Sequence, residues 1–245
     1  MVILSRDMPN IPFNLTTITT LVVNYRTLDL TERCVTSLLH HYPNVRLLLI
    51  DNGSQDSSTG YIQNMAETYP NVQCLINPLN IYHGPAMDLG IRAINTRYVF
   101  TLDSDCEILR GGLLEQMLPL FRDPSLYAAG SLSLKSRFGF TTRPGTRYYV
   151  RYINPHAMLI DGKKYHQLKP FFHHGAPCIK NMKDAEKAGF IVQDFPIQNF
   201  IYHEGRGTCS RYGYGLGPMT LMQYILTDYL PNQLARMGKI DRFFF

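Results

Sequence analysis

The chain has no run of roughly 18 to 20 apolar residues, the length a membrane-spanning helix needs, so no segment reads as a transmembrane span. Its opening stretch, residues 1–12, contains Arg6 and Asp7 and lacks the apolar core of a secretory signal. No block of consecutive Lys and Arg looks like a nucleic-acid arm, and nucleic acid is not expected as a partner. The five cysteines, at positions 34, 74, 106, 178 and 209, include no CxxC pair. That argues against a structural zinc site, and an odd number scattered through core-like segments reads as reduced thiols in a cytoplasmic protein. No internal repeat or low-complexity linker divides the chain, so its 245 residues are expected to form one domain.

What is present is ordinary core-forming material, 45% hydrophobic and 18% charged. The net charge of +5 suits a phosphorylated ligand or an anionic membrane surface. Residues 16–25, TTITTLVVNY, form a β-branched apolar run expected to be a buried strand. Leu30, Cys34, Leu38, Leu39 and Tyr42 then recur at helical spacing. Strands are expected at 46–50, 72–76 and 98–102, with helices at 57–69 and 84–94 between them. Such alternation implies a mostly parallel open sheet with helices on both faces. Ligands bind such sheets beyond the C-terminal strand ends. Asn24, Asp51 and Asp103 all fall there.

The second half is less periodic. Residues 126–134 read as a strand, and 148–160 as one or two more with Pro155 as a break. A helix is expected at 180–188, ended by Gly189, then strands at 191–194 and 197–202. Residues 205–217 hold five glycines and read as a loop. Residues 220–237 have helical spacing, and Phe243, Phe244 and Phe245 end the chain. The domain divides into a nucleotide-binding half at 16–108, an acceptor-side half at 109–218 and a C-terminal helix and tail at 219–245.

The sharpest feature is Leu102-Asp103-Ser104-Asp105. Two carboxylates two residues apart in an extended turn face the same side and can share one cation. A hard ion such as Mg²⁺ or Mn²⁺ takes oxygen ligands and bridges to phosphates. By itself this tripeptide is common and is often a solvated turn. Its place at the end of a buried fourth strand is what makes it a candidate site.

Four blocks occur in order: TLVVNYR, LLLIDNGSQDSS, NIYHGPAMDLGI and YVFTLDSD. Together they resemble the family 2 glycosyltransferases of the GT-A fold, over residues 16–108. The resemblance implies a nucleoside-diphosphate-sugar donor. It assigns Asp51 to the nucleobase, and Asn24 and Tyr25 to base and ribose. Gly84 and Asp88 match the helix start near the nucleotide, although the family often has Arg-Asn where this chain has Met87-Asp88. Asp103 matches the position near ribose and metal, with Ser104 beside it on the donor. Asp105 matches the direct metal ligand, and His203, at a strand end before the glycine-rich loop, a third ligand. Arg206 and Arg211 on that loop are candidates for the diphosphate, since guanidinium pairs well with phosphate. Solvated loop arginines are the plainer alternative.

One element of the family pattern is missing. Inverting members carry a Glu-Asp pair before the last helix, whose Asp is the general base. Here that region reads FFHHGAPC, without a carboxylate. Three readings stay open: His174 or His173 is the base, Asp161 reaches in, or no base is needed. His174 is favoured over His173 because it adjoins Gly175. Both histidines could equally pack or bind an acceptor phosphate.

The expectation is therefore a GT-A glycosyltransferase. It would use Mn²⁺ or Mg²⁺ and a nucleotide-sugar, UDP-linked by preference, and transfer the sugar to an acceptor hydroxyl with inversion. The acceptor would be a carbohydrate or a lipid-linked sugar, recognised by the aromatic-rich second half. Met219, Met222, Leu226, Tyr229 and Leu230, with the terminal Phe triplet and nearby Arg236, Lys239 and Arg242, suit core packing, a homodimer or peripheral membrane contact. Two rivals are weighed. A sugar nucleotidyltransferase would show a Gly-rich loop after the first strand, where this chain has Asn24-Tyr25-Arg26-Thr27. A nucleotide-sugar-binding protein without transfer activity fits the missing carboxylate but leaves the paired aspartates without a use.

Overall fold

The computed structural model describes residues 14–136, 141–142, 149–172, 176–205, 207 and 211. The first half is the alternating unit read from the sequence: β1 (Ile18–Asn24), α1 (Leu28–His41), β2 (Arg46–Asn52), α2 (Ser57–Thr68), β3 (Val72–Asn77), α3 (His83–Ala93) and β4 (Tyr98–Leu102). Local chemistry sets the boundaries. Asp56 caps α2 by accepting the Ser58 N–H at 2.8 Å. Pro70, just past the end of α2, cannot continue that helix.

Then follow β5 (Cys106–Ile108), α4 (Leu113–Met117), β6 (Leu126–Lys135), β7 (Val150–Asp161), the single turn α5 (Gly162–Tyr165), α6 (Ile179–Lys187), β8 (Ile191–Asp194) and β9 (Ile201–His203). The main sheet has seven strands in the order β3-β2-β1-β4-β7-β6-β8. β1 pairs in parallel with β2 and β4, β2 with β3, and β6 with β8; β7 runs antiparallel to both β4 and β6. A second sheet pairs β5 with β9 antiparallel.

Alternate side chains on each strand face opposite sides of the sheet, and each side has its own core. Val22, Leu47, Leu49 and Phe100 pack with Cys34, Val35 and Leu38 of α1 and Ile62 of α2. Leu21, Leu48, Ile50 and Val99 pack with Met87 and Ile91 of α3 and Met182 of α6. α3 comes very close: a Cβ on Gly90 would lie 2.5 Å from Leu21 Cδ1 and 2.8 Å from Ile50 Cδ1.

Two expectations are corrected. Pro155 does not break the strand, because β7 runs through it. The β6–β7 register jumps from Gly130↔Met158 to Leu132↔Ile153, so residues 154–157 bulge opposite Ser131. A proline that lacks an N–H is tolerated at such a bulge, and its carbonyl accepts the Thr101 hydroxyl at 2.7 Å. Residues 197–199 form a 3₁₀ turn rather than strand; only 201–203 extend, in the other sheet. The β5–β9 sheet was not anticipated, since three-residue strands carry too little periodicity to read. The C-terminal helix expected at 220–237 and most of the 205–217 loop lie outside the described residues.

Candidate donor and metal site

β1, β2 and β4 are parallel, so their C-terminal ends share one edge of the sheet. There the first two loops are knitted together. Asp51 is buried, and its Oδ1 accepts the backbone N–H of Ser54 at 3.2 Å, the Ser54 hydroxyl and Asn24 Nδ2 at 3.4 Å. Its Oδ2 accepts the Thr59 hydroxyl at 2.5 Å. Asn24 in turn accepts from the Thr31 hydroxyl at 2.8 Å and the Thr27 hydroxyl at 3.2 Å. Arg26 Nε donates to the Ser54 carbonyl at 3.0 Å, and its guanidinium lies 5.3 Å from the Tyr25 ring centre. Asn52 fixes the entry to α3: its Oδ1 accepts from Asn77 Nδ2 at 3.1 Å and Ile81 N at 3.2 Å, and its Nδ2 donates to Asn80 at 3.0 Å. Gly53, at φ +79°, lets the turn lie against residues 79–80, where a Cβ would sit 2.4 Å from the Leu79 carbonyl carbon.

The paired aspartates follow β4. The Asp103 backbone N–H donates to the His156 carbonyl at 2.8 Å. Its Oδ1 lies 3.4 Å from Nε2 of His83, the first residue of α3. Asp105 faces the β5–β9 sheet, in which Cys106 pairs with His203, and its Oδ1 is 3.3 Å from His203 Nε2. Its Oδ2 accepts the Gly207 N–H at 2.8 Å. Ser104 is buried between them, with its hydroxyl 3.4 Å from that of Thr27.

These placements split the acidities. Burial pushes the Asp103 carboxyl above its ordinary value, against the pull of His83. Burial also opposes ionisation of Asp105, but the His203 hydrogen bond and charge and the Gly207 N–H outweigh it, and its carboxyl is held below the ordinary range. His203 is raised: burial disfavours its charge, and Asp105 more than compensates. His156, whose ring stacks on His203 with centres 4.4 Å apart and planes 5° apart, is driven down to about 4 by burial and by His203.

The donor set fits a divalent cation. One ligand atom from each of Asp105, Cys106 and His203 can be chosen so that all lie within 4.8 Å of one another. The Cys106 thiol donates to the His156 carbonyl at 3.4 Å, which leaves the Asp105 carboxylate, an oxygen ligand suited to a hard ion, and the His203 imidazole, a borderline nitrogen ligand. His83 Nε2 is shut off from solvent, and its one close acceptor among the described residues, Asp103 Oδ1 at 3.4 Å, is not aligned for a hydrogen bond. A buried nitrogen whose hydrogen-bonding capacity is unfilled, at the first residue of a helix, suits ligand oxygens.

A family model for glycosyl transferase family 2 matches residues 19–185. The chain belongs to that family. Among curated relatives, an uncharacterised glycosyltransferase of Haemophilus influenzae is 31% identical over 88 residues; the match covers 36% of this chain and 35% of that protein, so the chain spans about a third of its relative. A mannosyltransferase of Pyrobaculum calidifontis, solved with GDP-Man and Mn²⁺, superposes with a TM-score of 0.58 at 15% identity, over 74% of this chain and 55% of that one. GalNAc-T7, solved with UDP, GalNAc and Mn²⁺, gives 0.62 at 12% over 87% and 48%. S. aureus TarS with UDP-GlcNAc gives 0.57 at 11% over 93% and 72%. The fold of this family 2 chain is therefore GT-A.

Within that fold the predicted residues separate. Asn24, Tyr25, Asp51, Gly84, Asp103, Ser104, Asp105 and His203 all lie on or beside the same sheet edge. Asp88 does not face it: its Oδ1 accepts the Tyr165 hydroxyl at 2.6 Å, and both its oxygens receive Arg92 Nε. Arg211 forks onto Asp29 at 2.6 and 2.9 Å, at the start of α1. Asp161 is displaced from the site altogether. It is the Cα partner of Tyr98, at the far end of β4 from Asp103, where it caps α5 and pairs with Arg97 at 2.7 Å. Four residues of strand put it about 13 Å from that edge, and it is no candidate base. His173, His174 and Arg206 lie outside the described residues. Sequence reading missed His83, His156 and Asn52. The first stood inside the quoted block NIYHGPAMDLGI; His156 carried no signal, since it reaches the site only through the bulge.

Proposed function

We propose that this chain is a metal-dependent glycosyltransferase. It would move a sugar from a nucleoside-diphosphate-sugar, UDP-linked by preference, to an acceptor hydroxyl with inversion. The observation that carries the reading is the approach of Asp105 and His203 to 3.3 Å at the end of β4, in a family 2 fold. The neighbours bound to UDP or GDP-Man together with Mn²⁺ support it. Asp105 and His203 would hold Mn²⁺ or Mg²⁺, which supplies positive charge against the departing diphosphate. Asp103 and Ser104 would face the ribose side. His83 would donate Nε2 to a phosphate or ribose oxygen. Asn24, Tyr25 and Asp51 would bound the nucleobase pocket, with Gly84 at its α3 side, and Arg206 would meet the diphosphate.

For the acceptor side, His174 is the proposed base, with His173 second. On either side of them, the Phe172 N–H donates to the Pro177 carbonyl at 3.0 Å. The acceptor would be a carbohydrate or lipid-linked sugar. The tail at 219–245 is the proposed place for peripheral membrane contact or a homodimer. No helix among the described residues is long and apolar enough to cross a membrane.

The test is nucleoside-diphosphate release from a panel of UDP- and GDP-sugars offered with carbohydrate acceptors and Mn²⁺. Release that needs acceptor and metal, and is lost in Asp105→Ala, supports the transferase. Metal-dependent nucleotide binding without release under any pairing favours a binding protein instead.

A further inference from the structure

His203 is held on one side by Asp105, but a single contact to Nε2 leaves the ring free to rotate about its side-chain bonds. His156 supplies the other constraint. Its ring lies flat on that of His203, centres 4.4 Å apart and planes within 5°. The residue beneath that ring cannot drift relative to the paired aspartates. Its carbonyl accepts both the Asp103 backbone N–H at 2.8 Å and the Cys106 thiol at 3.4 Å, the two residues that flank Ser104 and Asp105. The bulge at 154–157 brings it there, since it departs from the regular β6–β7 register while Ala157 stays paired with Leu102.

We propose that His156 is a positioning residue for the metal site. It sets the plane of the His203 imidazole so that Nε2 faces the same point as Asp105, and it does so through ring stacking. This rests on the reading of His203 as a metal ligand. Groups that orient a ligand commonly change metal affinity about 10- to 100-fold when removed. A flat ring of similar size, without the nitrogens, should preserve the effect.

The experiment titrates Mn²⁺ alone into the full chain and follows loss of the free-ion EPR signal, with circular dichroism to confirm folding. His156→Ala should weaken Mn²⁺ binding about 10-fold or more, and His156→Phe should stay within about 3-fold of wild type. In a double-mutant cycle, His156→Ala should add nothing to His203→Ala, because the one acts through the other. A folded His156→Ala that binds Mn²⁺ normally overturns the proposal. So does a His156→Phe as weak as His156→Ala, or additive losses in the double variant. If His203→Ala itself leaves Mn²⁺ affinity unchanged, the ligand reading falls and takes the positioning role with it. If His203→Ala loses affinity and His156→Ala does not, only the positioning role falls.

Discussion

Nε2 of His203 lies 3.3 Å from Oδ1 of Asp105, across the small sheet in which Cys106 pairs with His203. The pair depends on pH in two opposite senses. Asp105 is held below its ordinary value, so its contribution to stability is present above the carboxylate range and fades as pH falls through the lowered value. His203 is held above its ordinary value, so its contribution is full in mild acid and fades as pH rises through the raised value. Metal binding needs the neutral imidazole. Mn²⁺ affinity should therefore climb up to about 10-fold per pH unit until His203 has lost its proton, then level off. EPR titrations from about pH 5.5 to about pH 8.5 would show this, and in His203→Ala that limb should vanish.

Asp51 collects four donors in a buried position. Asp51→Ala leaves the Ser54, Thr59 and Asn24 groups without their acceptor and should cost about 2–4 kcal/mol. Urea unfolding measures it. A loss near zero would mean that the carboxylate is not the node that joins the first two loops.

Gly53→Ala should also destabilise. The backbone there is left-handed, and the new methyl meets residues 79–80. The left-handed conformation alone costs an ordinary residue roughly 1–2 kcal/mol. Nucleotide affinity should fall with it, because the turn holds the approach to α3.

Asp161→Asn separates architecture from chemistry. It breaks the ion pairs with Arg97 and Lys164 while the amide oxygen can still cap α5, so the urea midpoint should drop. Turnover per folded molecule should stay near wild type. A drop in kcat of a hundredfold or more, out of the roughly 10²–10⁴ that a general base supplies, would return Asp161 to the catalytic candidates.

The contrast between Asp161 and Asp103 shows what the sequence could reveal. Asp103 was legible because a parallel strand that runs YVFTL must deliver its next residue to the ligand-binding edge. Asp161 also ends an apolar strand, but β7 runs antiparallel, so its last residue lands at the other end. Strand direction is a long-range property that local spacing does not encode. The first-half elements were readable because burial on both faces gives continuous apolar runs. His156 was not readable because a bulge, not a period, delivers it. His83 was hidden for another reason: its partner Asp103 is twenty residues further along the chain.

The most direct measurement is calorimetric titration of UDP and GDP into the full chain with and without Mn²⁺, for wild type and Asp105→Ala. A donor and metal site at Asp105 and His203 predicts that Mn²⁺ tightens the binding of one of these nucleotides at least about 10-fold, equivalent to roughly 1.4 kcal/mol, and that Asp105→Ala abolishes the gain. Equal affinity with and without metal, or a gain that survives Asp105→Ala, would contradict it.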